Sequence, residues 1–178
     1  KSRTSTKRWR RLSEHWGSKM PKQRITDQSE IEGLLHEALV GHIAMCKDDE
    51  PYLVAVNFVY RDGKIYFHSS RRGQKIEFLE ANPRVCFAVE RVVRFARGPE
   101  ACNFSTRYVS AMAHGTGRFL DDPAEKKQAL TWLVDKYAQG DPYAPVPDRR
   151  LPEIAVVEIT VERLAGKRNV DREQLQQH

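Results

Sequence analysis

The residues best equipped for chemistry in this 178-residue chain sit together at positions 68–75, HSSRRGQK. Ser69 and Ser70 bring hydroxyl donors. Arg71 and Arg72 bring forked guanidinium groups that suit phosphate oxygens, and Lys75 adds a point charge. A strand-like run, IYF, precedes the cluster. Ile76, Phe78 and Leu79 follow at the spacing of a short helix that Asn82-Pro83 stops. With Gly73 at the helix entrance, the amides of about residues 73–76 lack intrahelical acceptors, and they and the helix dipole favour an anion there. The same composition would also suit an exposed turn whose charges are simply solvated. Two hydroxyls and three cations gathered around a glycine-led helix start favour the anion-holding reading.

Other reactive types are scattered. The six histidines share no HxxxH-type spacing, so no metal site is expected. His42 and His114 lie inside strand patterns and read as structural, whereas His15, His36 and His178 read as exposed. Cys46, Cys86 and Cys102 are odd in number and far apart, which fits neither a disulfide framework nor a CxxC site. Each sits among apolar residues, so free thiols with a core role are expected. Tyr52, Phe58 and Phe104 read first as core aromatics. The absence of GxSxG, a Walker loop and a Rossmann glycine pattern argues against serine hydrolase, nucleoside triphosphatase and dinucleotide-dehydrogenase chemistry.

The elements that must position residues 68–75 read as mainly β. Asp27 followed by Glu30 resembles a capping box and opens a helix over about 28–37. Strands are expected over 40–46, 52–60 and 64–69. The last two are joined by Asp62-Gly63, the strongest hairpin signal in the chain. A further strand is expected over 85–90, residues 91–104 read as a loop or irregular excursion, and 105–120 read as a long strand. Gly115 and Gly117 would let that strand bulge or bend. Asp122 and Pro123 start an amphipathic helix, a proline-rich loop follows, and 153–164 form a last strand. Strands joined mainly by hairpins predict a closed or nearly closed antiparallel barrel with peripheral helices, not alternating βαβ units.

The composition, 40% hydrophobic and 30% charged, is that of one globular domain. No 18-residue apolar run exists, and the basic N-terminus lacks the apolar stretch of a secretory signal. A cytoplasmic protein without membrane association is the expectation. The net charge of +6 belongs to an arm: residues 1–24 hold nine basic residues and one acidic residue, leaving the other 154 slightly acidic. The arm, with Trp9 and Trp16, could contact nucleic acid, but an extension ahead of Met20-Pro21 is the preferred reading, so nucleic acid is not expected as a partner. The division expected is 1–23 extension, 24–170 domain and 171–178 tail.

Taken in order, EALVGHIAM, EPYLVAVNFVYRDGKIYFHSSRRGQKIEFLEANPRVCFAVE, ACNFSTRYVSAMAHGTGRF and the closing AGKR resemble the pyridoxamine 5'-phosphate oxidase-related FMN-binding split barrels, over about residues 24–168. The subgroup of nitroimidazole-resistance reductases is the nearer likeness. The resemblance implies a six-stranded antiparallel split barrel and a homodimer holding two FMN at its interface. Leu53, Val54, Ala55, Val56 and Asn57 would run along the flavin ring, with Phe67 and His68 near the ring and ribityl chain. Ser69, Ser70, Arg72, Gln74 and Lys75 would hold the phosphate. Arg107, Tyr108 and Ser110 would contribute from the same site or across the dimer. The arginine-led strand and the C-terminal tryptophan-arginine region of the true oxidases have no counterpart here. The implied activity is therefore reduction of a nitro compound, a quinone or another electron-poor small molecule, with electrons from an external reductant. His68 is the candidate for proton supply, or else a strand-end histidine satisfied by a carbonyl or the cofactor. A flavin- or haem-binding module without catalysis, tethered to nucleic acid by the arm, is the alternative.

Overall fold

The computed structural model describes residues 23–170. The expectations for the basic arm, the C-terminal tail, His15 and His178 fall outside them.

Two tight turns build the first half of the sheet. Asp62 and Gly63, with φ of 50° and 75°, join β3 (Glu50–Arg61) to β4 (Lys64–Ser70). Asp48 and Asp49, with φ of 50° and 64°, join β2 (Val40–Lys47) to β3 in the same way. Positive φ at both central residues gives the turn whose twist matches that of the strands. The remaining long strands are β5 (Arg84–Ala96), β6 (Ser105–Phe119) and β7 (Ile154–Asn169). The ring runs β7-β4-β3-β2-β5-β6 and closes where β6 pairs back onto β7, every pairing antiparallel. This is the six-stranded barrel expected, mainly β in class. A short seventh strand, β1 (Gln23–Ile25), was not foreseen and lies against β7 outside the ring.

Alternation places Ile43, Phe58, Ile65, Phe67, Phe87 and Ile159 inside the barrel, each fully buried. Helix α1 (Gln28–Glu37) adds Ile31, Leu34 and Leu35 to this core, and α2 (Gln74–Ala81) adds Phe78 and Leu79. Asp27 caps α1 through Ser29, whose amide and hydroxyl donate to it. Glu30 closes no capping box, because its carboxylate accepts from Arg168 at 2.9 and 3.1 Å. Helix α3 (Pro123–Ala138) lies on the outside of the barrel, where Ala129, Leu130 and Leu133 cover Tyr66 and Val156. Asp122 caps it by accepting from the amides of Ala124 and Glu125. Beside α3, the buried Glu158 accepts from Arg118 Nε at 2.8 Å and Tyr66 Oη at 3.0 Å, with Lys64 Nζ 3.1 Å away.

Several expectations need correcting. Residues 91–96 continue β5 instead of looping. With the start of β6 they form a ribbon in which Val92, Val93 and Phe95 are exposed, so it lacks the half-buried alternation that marks a strand. A register shift between Val92 and Arg94 adds to the irregular reading. The last strand runs on to Asn169. Phe104 is exposed, as are Cys46 and Cys102, and Cys86 is only half-buried, so none of the thiols serves as core. Gly115 is needed as expected: the β6–β7 register shifts there, and a Cβ would run into the Thr160 carbonyl oxygen. No helix among the described residues is long and apolar enough to cross a membrane.

Candidate functional site

Strands β3 and β4 part company at Phe58 and Phe67, where their register ends. Beyond that point β4 stays with β7 through Ser70, and β3 stays with β2 back to Glu50. Tyr137 of α3 fixes the point of divergence. Its hydroxyl accepts from Phe58 N at 2.8 Å and lies 3.1 Å from Phe58 O and 2.6 Å from Leu39 O, just before the start of β2. Since the polar groups of Phe58 face the β2 side, alternation turns those of Asn57, Ala55 and Leu53 toward β4. They line an opening without a strand partner there. The side chains of these three residues are exposed, whereas Val56 is buried and Val54 packs on the core. Phe67 is also fully buried and belongs to the barrel core.

The far wall of the opening is β4 and the turn into α2. His68 is exposed and paired with Val156. Ser69 and Ser70 leave the strand on opposite faces. Ser70 Oγ accepts from Arg72 N at 3.3 Å, which folds the turn back. Gly73, at φ 117°, opens α2 in a conformation few other residues tolerate and adds no side-chain cap. The first helical bonds come from Ile76 N and Glu77 N to Gly73 O, so the amides of Gln74 and Lys75 precede them and point out of the helix start. Lys75 Nζ lies 5.7 Å from the Phe67 ring, and burial holds its ammonium below the ordinary lysine value. Burial, and then the charge of Lys75, also hold His68 below its usual value, so it is neutral at pH 7. Arg71 is aimed elsewhere: its Nη1 donates to Pro152 O at 3.0 Å.

Leu53–Asn57 and His68–Lys75 thus border one opening. Arg107, Tyr108 and Ser110 do not. They belong to β6, which stands three strands from β3 in either direction around the ring. Tyr108 pairs with Val92 and Asn169 there, and Ser110 Oγ donates to Lys167 O. Sequence reasoning missed Tyr137 and Lys136, which α3 carries to the edge of the site. Lys136 Nζ donates to Ala38 O at 2.6 Å and stands 3.9 Å from the Phe58 ring centroid, and burial lowers its pKa to about 8. The helical periodicity placed both residues on α3 but gave no sign of what they would meet.

This architecture is shared. A protein of Bacteroides thetaiotaomicron, assigned provisionally to 5-nitroimidazole antibiotic resistance, superposes with a TM-score of 0.74 at 28% identity, over 84% of this chain and 89% of that one. The flavocytochrome Anf3 of Azotobacter vinelandii gives 0.72 at 21% identity, over 85% and 74%. A FAD- and haem-binding protein of Mycobacterium smegmatis gives 0.76 at 16% identity, over 86% and 78%. In sequence, an uncharacterised protein of Rhizobium meliloti is 29% identical over 66 residues, a match spanning 37% of this chain and 43% of that protein. Residues 27–168 match the family described as pyridoxamine 5'-phosphate oxidase, which covers the barrel from α1 to the end of β7. The chain belongs to that family and has its split-barrel fold.

Proposed function

We propose that the chain binds FMN in the opening between β3 and β4 and acts as a cytoplasmic, homodimeric reductase of nitroaromatic, quinone-like or other electron-poor small molecules. One observation carries the reading: the outward-turned backbone groups of Leu53, Ala55 and Asn57 run toward a turn rich in cations and free amides. A flavin ring offers a polar edge of alternating acceptors and donors to the first feature, and its phosphate suits the second. When bound, the flavin supplies the transfer of electrons from an external reductant to the acceptor. Arg72, Gln74, Lys75 and the α2 amides hold the phosphate. His68, neutral in the free protein, offers one N–H and one lone pair beside the ring, and protonated it would pass a proton to the reduced acceptor. The likeness at 28% identity to a protein linked to nitroimidazole resistance supports nitro compounds as the acceptor class.

The dimer is supported by the division, across the barrel, of the site residues that the family likeness implies. Arg107, Tyr108 and Ser110 meet the opening only if β6 of a second copy brings them. The outer face offers apolar residues for that copy: Leu53 opposite Ala44 and, in the next row, Ala88 opposite Met112, with Leu53 64% and Met112 46% exposed. The test is titration of flavin-free protein with FMN. Lys75→Met should weaken binding by roughly 10–100-fold, the loss of one charge-assisted contact. Leu53→Asp should yield monomers in sedimentation and weaken FMN binding with them. Wild-type protein that takes up no FMN, or that binds it equally well as a monomer, refutes this reading.

A further inference from the structure

Lys136 is a reactive group that the proposed flavin chemistry does not use. Helix α3 carries it to the end of α1, where its Nζ donates to Ala38 O at 2.6 Å and to Leu35 O at 3.4 Å, 3.9 Å from the Phe58 ring centroid. Among the described residues no carboxylate pairs with it. Taking an ammonium out of water without a counter-charge is costly, so burial favours the neutral amine and lowers its pKa to about 8. Roughly a tenth of such groups carry a free lone pair at pH 7, against fewer than about one in a thousand ordinary lysines. A desolvated lysine of this kind is a nucleophile toward carbonyl carbon.

A cavity of about 670 Å³ lies beside this amine, between α1, α3 and the β3–β4 turn. That volume is within the range of roughly 300–1,000 Å³ that accommodates a small ligand. Trp132 forms a flat wall, with the Arg61 guanidinium 4.9 Å from its ring, and Tyr60 forms another with His36 edge-on to it. Glu32 of α1, Asp62 of the turn and Asp135 of α3 supply carboxylates. Each has one neighbour: Glu32 accepts from Gln28 Nε2 at 2.7 Å, Asp135 accepts from Tyr143 Oη at 2.5 Å, and Asp62 stands 3.9 Å from Arg61. A carboxylate has about four acceptor positions, so each can still accept from a hydroxyl group. Three carboxylates against the one guanidinium of Arg61 favour an uncharged ligand over an anionic one. We propose that Lys136 is a covalent site for short, uncharged hydroxyaldehydes, which it holds as a Schiff base in this cavity. The amine lone pair attacks the carbonyl carbon, and one amine proton passes to the carbonyl oxygen. With a second proton from solvent that oxygen leaves as water while the C=N bond forms, and nothing is oxidised or reduced. The iminium product keeps a positive charge for the Phe58 ring and one N–H for Ala38 O, so the adduct preserves the contacts that hold the lysine. The site does not depend on bound flavin.

Labelling of the wild-type full chain at pH 7 with glyceraldehyde and cyanoborohydride, which reduces the imine to a stable amine, tests this. Peptide mass spectrometry reads the initial rate at each lysine. We expect Lys136 to label at least about tenfold faster than the exposed Lys127 and Lys167. Propanal, which has no hydroxyl groups, provides the comparison for the cavity. The ratio of glyceraldehyde to propanal labelling should be at least about threefold higher at Lys136 than at the two exposed lysines, the worth of one hydrogen bond to a carboxylate. Both differences should vanish in urea, where the cavity is lost. Lys136 labelled no faster than the exposed lysines, or an equal ratio at all three, would show that the amine only closes the end of α1, and would overturn the proposal.

Discussion

Removing one oxygen atom at Tyr137 tests how the barrel is held open. The hydroxyl has a single proton and sits 2.6 Å from Leu39 O and 3.1 Å from Phe58 O, so the Leu39 bond takes it. Its lone pair accepts from Phe58 N at 2.8 Å. Tyr137→Phe leaves that amide unpaired beyond the start of β2, where the Phe58 side chain is fully buried and little water reaches the backbone. An orphaned buried donor costs about 1–3 kcal/mol and the lost bond to Leu39 about 1 kcal/mol, so the expected loss is about 2–4 kcal/mol. For a chain of this size that lowers the melting temperature by roughly 5–10 °C. Burial pushes the Tyr137 phenol above its ordinary value despite the Phe58 amide, so the loss should persist unchanged to pH 9. Calorimetry gives the stability, and hydrogen exchange at the Phe58 amide gives the location. A variant within 0.5 kcal/mol of wild type, or a Phe58 amide that exchanges no faster, would show that the hydroxyl does not anchor the divergence of β3 from β4.

Two further outcomes concern ionised groups at the periphery of the site. Burial works against the charged form of Glu158, but the hydrogen bonds from Arg118, Lys64 and Tyr66 outweigh it and hold the carboxyl below its usual value. Its stabilisation is therefore complete above the ordinary glutamate range and disappears as pH falls through the lowered value. Glu158→Gln should cost about 2–4 kcal/mol at pH 7 in denaturant unfolding, and the gap from wild type should narrow as pH falls below the ordinary glutamate value of about 4.3. A gap that persists undiminished at pH 3 would contradict it. Lys136 acts with the same sign at higher pH: with its pKa lowered by burial to about 8, the unfolded chain binds more protons between that value and the ordinary 10.5. Wild-type stability should gain a rising contribution across this interval that Lys136→Met lacks. Parallel curves for the two proteins would remove the burial argument.

The parts of this molecule that sequence alone reveals are those written in neighbouring residues. The hairpin at Asp62-Gly63, the cap at Asp122 and the turn of cations before α2 each depend on a few consecutive positions, and each is found where the local chemistry puts it. The ribbon at 91–96 was misread because Val92, Val93 and Phe95 are held by pairing with β6 and not by burial. Exposure of all three erases the period-2 pattern that burial would impose. Cys86 misled for the converse reason: side chains in a strand alternate in direction, so a thiol between the buried Val85 and Phe87 faces the other side, whereas Cys102 stands on an exposed 3-10 helix.

The opening between β3 and β4 could not have been read in advance, because it is a missing pairing and not a residue type. LVAVN has the composition of any half-buried strand, and its unpaired edge exists only because β4 turns from it after Phe67 to follow β7. What makes β4 leave is spread over the chain. Gly73 forces the turn into α2, Tyr137 occupies the backbone of Phe58 from 79 positions away, and Arg71 ties the same turn to Pro152 across 81. The same distribution separates Arg71 from Arg72. Adjacent and identical in chemistry, they part because the turn sends the Arg71 guanidinium to the 3-10 helix. A run of cations read from sequence therefore does not say which of them share one surface, because contacts made far along the chain set the direction of each side chain.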